Sequence, residues 1–285
     1  MNALNKEFGG QLSLAIKIFK NTYPKKFLHQ LVSGQLDMDR LDYLNRDSFY
    51  TGVSEGVIGS ERIIKMLSVV NDELVVEAKG IYSLEKFVLA RSLMYWQVYL
   101  HKTVVSAENL LINILRRAKY LVQKGETVFA TPALDSFLKK NFSHKEFLRN
   151  NQALSCFALL DDYDIYASVK VWADSSDKIL SMLAQKLIKR KLFRIEFQNN
   201  PFSQAYIDKI REKAMKQLSL KADECNYFVF SDKTLNSIYS QGSDKIKILL
   251  KDGRVIDIID ASDQLDKTIL SKTIVKYFLC YPKDI

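Results

Sequence analysis

Residues 34–47 read Gly-Gln-Leu-Asp-Met-Asp-Arg-Leu-Asp-Tyr-Leu-Asn-Arg-Asp, and this stretch decides the reading of the chain. It gathers Asp37, Asp39, Asp42 and Asp47 with Arg40 and Arg46 around Tyr43. Leu36, Leu41 and Leu44 recur at helical spacing and give the segment an apolar face for a core. On a helix Asp39, Tyr43 and Asp47 are spaced i, i+4, i+8 and share one side, with Arg40 flanking it. Carboxylate, phenol and carboxylate beside a guanidinium suit a metal-bound phosphate and a sugar. The competing reading is a solvated face laced with local ion pairs.

The rest of the 285 residues sets the frame. Hydrophobic residues make up 47% of the chain, enough for a sizeable core. Only 4 Pro and 10 Gly interrupt it, which favours long helices over a strand-rich sandwich. The net charge of +9 suits an anionic partner, whether nucleotide, nucleic acid or acidic surface. Cys156, Cys225 and Cys280 form no C-x-x-C pair and are odd in number, as expected of structural thiols in a reducing, cytoplasmic setting. No signal peptide is legible, and no apolar run approaches the roughly 20 residues that cross a bilayer, so no membrane partner is expected.

Periodicity predicts helices over 11–20, 26–31, 36–50 and 60–67, then a hairpin over 72–82 with its turn at Lys79-Gly80. Residues 83–124 contain neither Gly nor Pro and end at Gly125. They predict one helix, or two nearly coaxial ones, of about 40 residues and about 60 Å. Arg91, Tyr95, Tyr99 and Lys102 would form a second polar and aromatic stripe there, suited to gripping a phosphate. The alternative is plain packing with Arg91 and Lys102 reaching for water. Asp161, Asp162 and Asp164 suit a helix cap better than a metal site. After Leu192 strands enter, including a hairpin around Lys251-Asp252-Gly253 and a last strand over 274–281. The expectation is a helical body over 1–190 and a small α+β unit over 191–285. No phosphate loop, nucleophile elbow or zinc spacing is present.

The 37–53 segment resembles the final helix motif of the HD-domain phosphohydrolases, in particular the deoxynucleoside triphosphate triphosphohydrolase branch. The elements of that motif stand here as Asp37, Asp39, Arg40, Asp42, Tyr43, Arg46 and Asp47, followed by Gly52-Val53. Arg91, Tyr99 and the pair His101-Lys102 match the branch as well. The resemblance implies a mostly α, HD-domain-like helical body with a small C-terminal α+β unit. It implies a dGTPase-like hydrolase that converts a dNTP to deoxynucleoside and triphosphate. Asp39 would be a metal ligand. Arg40, Tyr43, Asp47, Arg91 and Tyr99 would bind substrate, and His101 and Lys102 an effector nucleotide.

The family's metal site also needs a histidine and an adjacent His-Asp pair. This sequence has no His-Asp, and its histidines are His29, His101 and His144. A lone aspartate leaves nearly the whole shell of a Mg²⁺ or Mn²⁺ ion to water. The resemblance therefore implies an N-terminally incomplete body that does not bind the divalent metal tightly and is inactive alone. Three explanations stand open: a truncated copy, a split enzyme whose HD half comes in trans, or a degenerate member. The alternative function is a non-catalytic, oligomerising subunit that binds nucleotide or nucleic acid. A homo-oligomer is expected in either case.

Overall fold

The computed structural model describes residues 1–149, 151–237, 239, 245–263 and 273–285. Helices dominate. In chain order the elements begin with α1 (Asn2–Glu7), α2 (Ser13–Phe19), α3 (Lys26–Val32), α4 (Met38–Thr51) and α5 (Ser60–Lys65). A hairpin of β1 (Leu67–Val70) and β2 (Glu73–Glu77) follows, then α6 (Ile81–Met94). A π-helical turn over Tyr95–Tyr99 separates α6 from α7 (Lys102–Gln123). Next come α8 (Pro132–Lys139), α9 (His144–Arg149), α10 (Asn151–Leu159), α11 (Asp162–Trp172) and α12 (Lys178–Ile188). The remainder is β3 (Arg194–Gln198), α13 (Gln204–Leu218), α14 (Ala222–Cys225), β4 (Phe230–Ser237), β5 (Lys247–Leu249), β6 (Val255–Asp257), α15 (Ile258–Ala261) and β7 (Thr273–Tyr281).

Two compact units emerge, and neither is a continuous half of the chain. The first comprises Met1–His101 and Leu235–Val275, the second Lys102–Thr234 and Lys276–Ile285. This differs from the division expected near residue 191, because residues from both sides of that point enter each unit. The reason is strand pairing. In the first unit the sheet runs β1-β2-β5-β6. β2 pairs with β5 in parallel, Val76 opposite Ile248. The late hairpin, with Ile248 opposite Ile256, thus completes the sheet begun by the early one. Parallel partners need a crossover connection, and here residues 78–246 lie between them. In the second unit the order is β3-β7-β4, with Ile195 opposite Cys280.

Each unit has its own core. Leu44, Ile63, Leu84, Phe87, Met94, Ile248 and Ile258 fill the first. Leu110, Ile114, Trp172, Leu180, Leu183, Phe193, Phe228 and Leu279 fill the second. All three cysteines are free thiols. Among the described residues no helix is long and apolar enough to cross a membrane.

The early hairpin is shifted from its expected place. Its turn is Asn71-Asp72, both with positive φ of 51° and 61°, the backbone a two-residue hairpin loop requires. Lys79-Gly80 instead closes a short 3-10 turn, and Ile81 starts α6. The long run after it is likewise interrupted, because the Leu100 N–H reaches the Tyr95 carbonyl at 2.7 Å and opens the π turn. Asp161 does cap a helix: it forms a reciprocal capping box with Asp164 at the start of α11.

Candidate functional site

The site grows from α4. Asp37 caps the helix by accepting the Arg40 N–H at 2.8 Å. Gly52, with φ 71°, supplies the left-handed residue that ends it. Leu41, Leu44 and Ser48 are buried and fix its rotation. Asn45 locks the helix to the following loop, donating to Ser60 Oγ at 2.5 Å and accepting the Ile58 N–H at 3.0 Å. Gly56 lets that loop come close, since a Cβ there would lie 2.7 Å from Met94 Sδ and 2.9 Å from Ser48 Cβ.

With α4 set this way, Asp39 is exposed while Arg40, Tyr43 and Asp47 are half-buried. The Asp37 cap also anchors Arg40, whose Nε donates to the Gly34 carbonyl at 2.8 Å and to Asp37 Oδ2 at 3.3 Å. On the other side of the helix, exposed Arg46 and Asp42 form an i, i+4 pair at 2.9 and 3.0 Å. There the solvated ion-pair reading is correct.

Helix α6 and the π turn bring the second half of the cluster. The Tyr99 hydroxyl donates to Asp47 Oδ2 at 2.6 Å. Its ring meets Tyr43 edge-on at 6.1 Å and Tyr95 at 5.3 Å between centroids. Burial, then the hydrogen bond to Asp47, holds the Tyr99 phenol far above its ordinary range, so it stays a donor at any working pH. Burial also raises Tyr43, against the opposing charges of Arg40 and Arg91. Arg91 is pulled down from its ordinary value, first by burial and then by the like charge of Arg40. Two guanidiniums thus feel each other across a half-buried site edged by tyrosines. Such a pair favours a polyvalent anion.

One member of this neighbourhood comes from late in the chain. Tyr239 is buried, accepts the Ile246 N–H at 2.7 Å and donates to Asp257 Oδ1 at 3.3 Å. Burial is the main cause of its raised phenol, and the nearby charge of Arg91 opposes it. Nothing in the sequence around Tyr239 marks it, because its place depends on the late hairpin joining the early one.

The structure therefore brings Arg40, Tyr43, Asp47, Arg91 and Tyr99 into one cluster. His101 and Lys102 are exposed, and the boundary between the units falls between them. Among the described residues no three His, Cys, Asp or Glu side chains converge to hold a metal. Asp39 stands alone in that respect, and Asp37 is occupied as a helix cap.

Known proteins resemble this chain along nearly its whole length. The family model described as "HD associated region" matches residues 58–131. The crystal structure of a phosphohydrolase from Bacteroides thetaiotaomicron superposes on 99% of the chain with a TM-score of 0.94 and 52% identity, and 70% of that protein is covered. The uncharacterised protein YwfO of Bacillus subtilis is 30% identical over 277 residues, which are 94% of this chain and 60% of that protein. A deoxynucleoside triphosphate triphosphohydrolase homologue from Dictyostelium discoideum is 21% identical over 230 residues, 72% of this chain and 44% of that protein. The chain spans 60% or less of the length of these two curated relatives.

Proposed function

The chain belongs to the HD phosphohydrolase family, and we propose that it supplies the substrate-binding wall of a dNTP triphosphohydrolase site of the dGTPase type. The observation that carries this reading is the pairing of Arg40 and Arg91 beside Tyr43 and the Tyr99–Asp47 hydrogen bond. In this reading the two guanidiniums receive triphosphate oxygens. Tyr43, Tyr99 and Asp47 line the sugar side, where a bulky ring wall and a fixed donor orient a deoxyribose. The name of the Dictyostelium relative, a deoxynucleoside triphosphate triphosphohydrolase, supports the choice of substrate.

The overall reaction would release deoxynucleoside and intact triphosphate. Family members use a divalent metal, with Mg²⁺ and Mn²⁺ as the natural candidates to activate water. The donor set described here does not fit such an ion, and the sequence holds no His-Asp pair. The remaining ligands would have to come from residues outside these 285, in the same polypeptide or in trans. The chain by itself is therefore proposed to bind dNTP without hydrolysing it. Asp39 would join the metal shell only when the other ligands are supplied. His101 and Lys102 would contact an effector nucleotide.

Incubating the purified chain with Mg²⁺ or Mn²⁺ and each dNTP, with triphosphate as the readout, tests this. Binding without triphosphate release is expected; robust release by the chain alone would contradict it. A second reading, a non-catalytic nucleic-acid-binding subunit, is favoured by the missing donor set and the +9 charge. Titration with dGTP and with single-stranded nucleic acid at two salt concentrations separates the two. Nucleic-acid affinity should collapse as salt rises, while a pocketed triphosphate should lose far less.

A further inference from the structure

The sheet of the first unit runs β1-β2-β5-β6, so β1 lies at its edge. It pairs with β2 from Leu67 opposite Val76 to Val70 opposite Glu73, and the Glu77 N–H meets the Met66 carbonyl at 2.9 Å. Along an antiparallel ladder the hydrogen-bonded and non-hydrogen-bonded pairs alternate. Ser68 and Val70 therefore turn their N–H and C=O groups to β2, while Leu67 and Val69 turn theirs outward. Among the described residues no donor or acceptor meets those outward groups. The edge is also unguarded: Met66-Leu67-Ser68-Val69-Val70 holds no Pro and no charge, and Val69 is 44% exposed. Sheet edges are ordinarily blunted by one or the other, because a bare edge is a template for another strand.

This edge is complementary to itself. About a twofold axis through Ser68, an antiparallel second β1 sets Leu67 of each copy opposite Val69 of the other. In that register every outward N–H of Leu67 and Val69 finds an outward carbonyl. A shift in either direction leaves some of them unpaired. The ends match in charge as well. The Asn71-Asp72 turn of one copy falls beside the end of α5 in the other, where Lys65 is exposed. Asp72 is exposed too, and among the described residues neither side chain takes part in an ion pair. We infer that a second copy of this chain docks on β1 edge to edge, so that the two sheets join across a twofold axis. The contact is isologous and closes at the dimer. So short an edge suits a weak, reversible dimer.

Sedimentation equilibrium and disulfide trapping on the full chain test this. The parent should dimerise. Val69→Pro removes an outward N–H and leaves the ladder to β2 intact, so it should weaken association at least about tenfold while thermal unfolding stays cooperative. Lys65→Glu should weaken association too, more at low salt than at high. Trapping reads the register and decides alone if Val69→Pro fails to fold. Cys225 and Cys280 are buried, and Cys156→Ser removes the remaining thiol. In that background Ser68→Cys places two thiols in a non-hydrogen-bonded pair with Cα atoms about 4.5 Å apart, within the span of a disulfide. Val69→Cys places them on a diagonal, farther apart than a disulfide reaches. Oxidation should link the Ser68→Cys chains at least about tenfold faster than the Val69→Cys chains. A parent that stays monomeric at all concentrations overturns the inference. So does association that a folded Val69→Pro leaves unchanged, since that assigns the contact to another surface. Equal trapping at the two positions, or none at Ser68→Cys, overturns it as well.

Discussion

Arg91 and Arg117 lie in the same Gly- and Pro-free run, yet the fold treats them in opposite ways. Arg117, on α7 in the second unit, is buried and meets Asp177 through two hydrogen bonds of 3.0 and 2.6 Å. Its guanidinium also faces the rings of Tyr120 and Tyr227 at 5.1 and 5.5 Å. The hydrogen bond to Asp177 raises its pKa above the ordinary value, so its charge is fully answered from within. Arg91, on α6 in the first unit, has the reverse balance. Burial and the like charge of Arg40 both lower it. One arginine is a structural tie, and the other lies beside a like charge that Asp37 offsets only in part. Residue type and helix position do not distinguish them; the charge of the neighbours does.

The largest effect that can break this contrast is the loss of Asp177. Asp177→Ala leaves a buried guanidinium without its counter-ion and should cost about 3 kcal/mol in denaturant unfolding. A loss well under 1 kcal/mol would remove the structural tie from the account. Burial alone would raise the Asp177 carboxyl, but the Arg117 hydrogen bonds and the Leu180 N–H outweigh it, and the net shift is below 3.8. A depressed folded value means stability that is present above that pH and lost as the pH falls beneath it. The parent should therefore lose stability on acidification below about pH 4, and Asp177→Ala should lack that component.

Tyr99→Phe comes next. It keeps the aromatic contacts and removes the hydrogen bond to Asp47, for an expected cost of about 1 kcal/mol in the same assay. Arg91→Met should cost clearly less than Asp177→Ala, because burial and the like charge of Arg40 already disfavour its charged form. A destabilisation as large as that of Asp177→Ala would erase the distinction between the two arginines. The smallest effect belongs to Asp42→Ala. Its pair with Arg46 is fully solvated, and the melting temperature should stay within error of the parent.

Much of α4 was legible because its determinants are local. The Asp37 cap, the leucine spacing and Gly52 lie within one stretch of sequence. The late hairpin was legible for the same reason, through Lys251-Asp252-Gly253. What escaped the sequence depended on distant partners or unusual backbone. The early hairpin was misplaced because Gly80 drew the turn to Lys79-Gly80, although Asn71 and Asp72 also tolerate the positive φ that a tight turn needs. The π turn at Tyr95–Tyr99 has no residue signature, yet it sets where Tyr95 and Tyr99 meet. The boundary near 191 failed because Val76 pairs with Ile248, a contact that no local pattern announces. Tyr239 was missed through that same long-range pairing. The spacing of Asp39, Tyr43 and Asp47 did place all three on α4, while the ion-pair reading of that helix proved right for its Asp42–Arg46 side.

The central claim is that Arg40 and Arg91 form a receptor for a triphosphate rather than a tie within the fold. Calorimetric titration of inorganic triphosphate into the metal-free chain at low salt, for the parent and for Arg91→Met, tests it directly. The account predicts binding by the parent and at least about tenfold weaker binding by the variant, with cooperative thermal unfolding showing that the variant still folds. Equal affinities in the two proteins would contradict it.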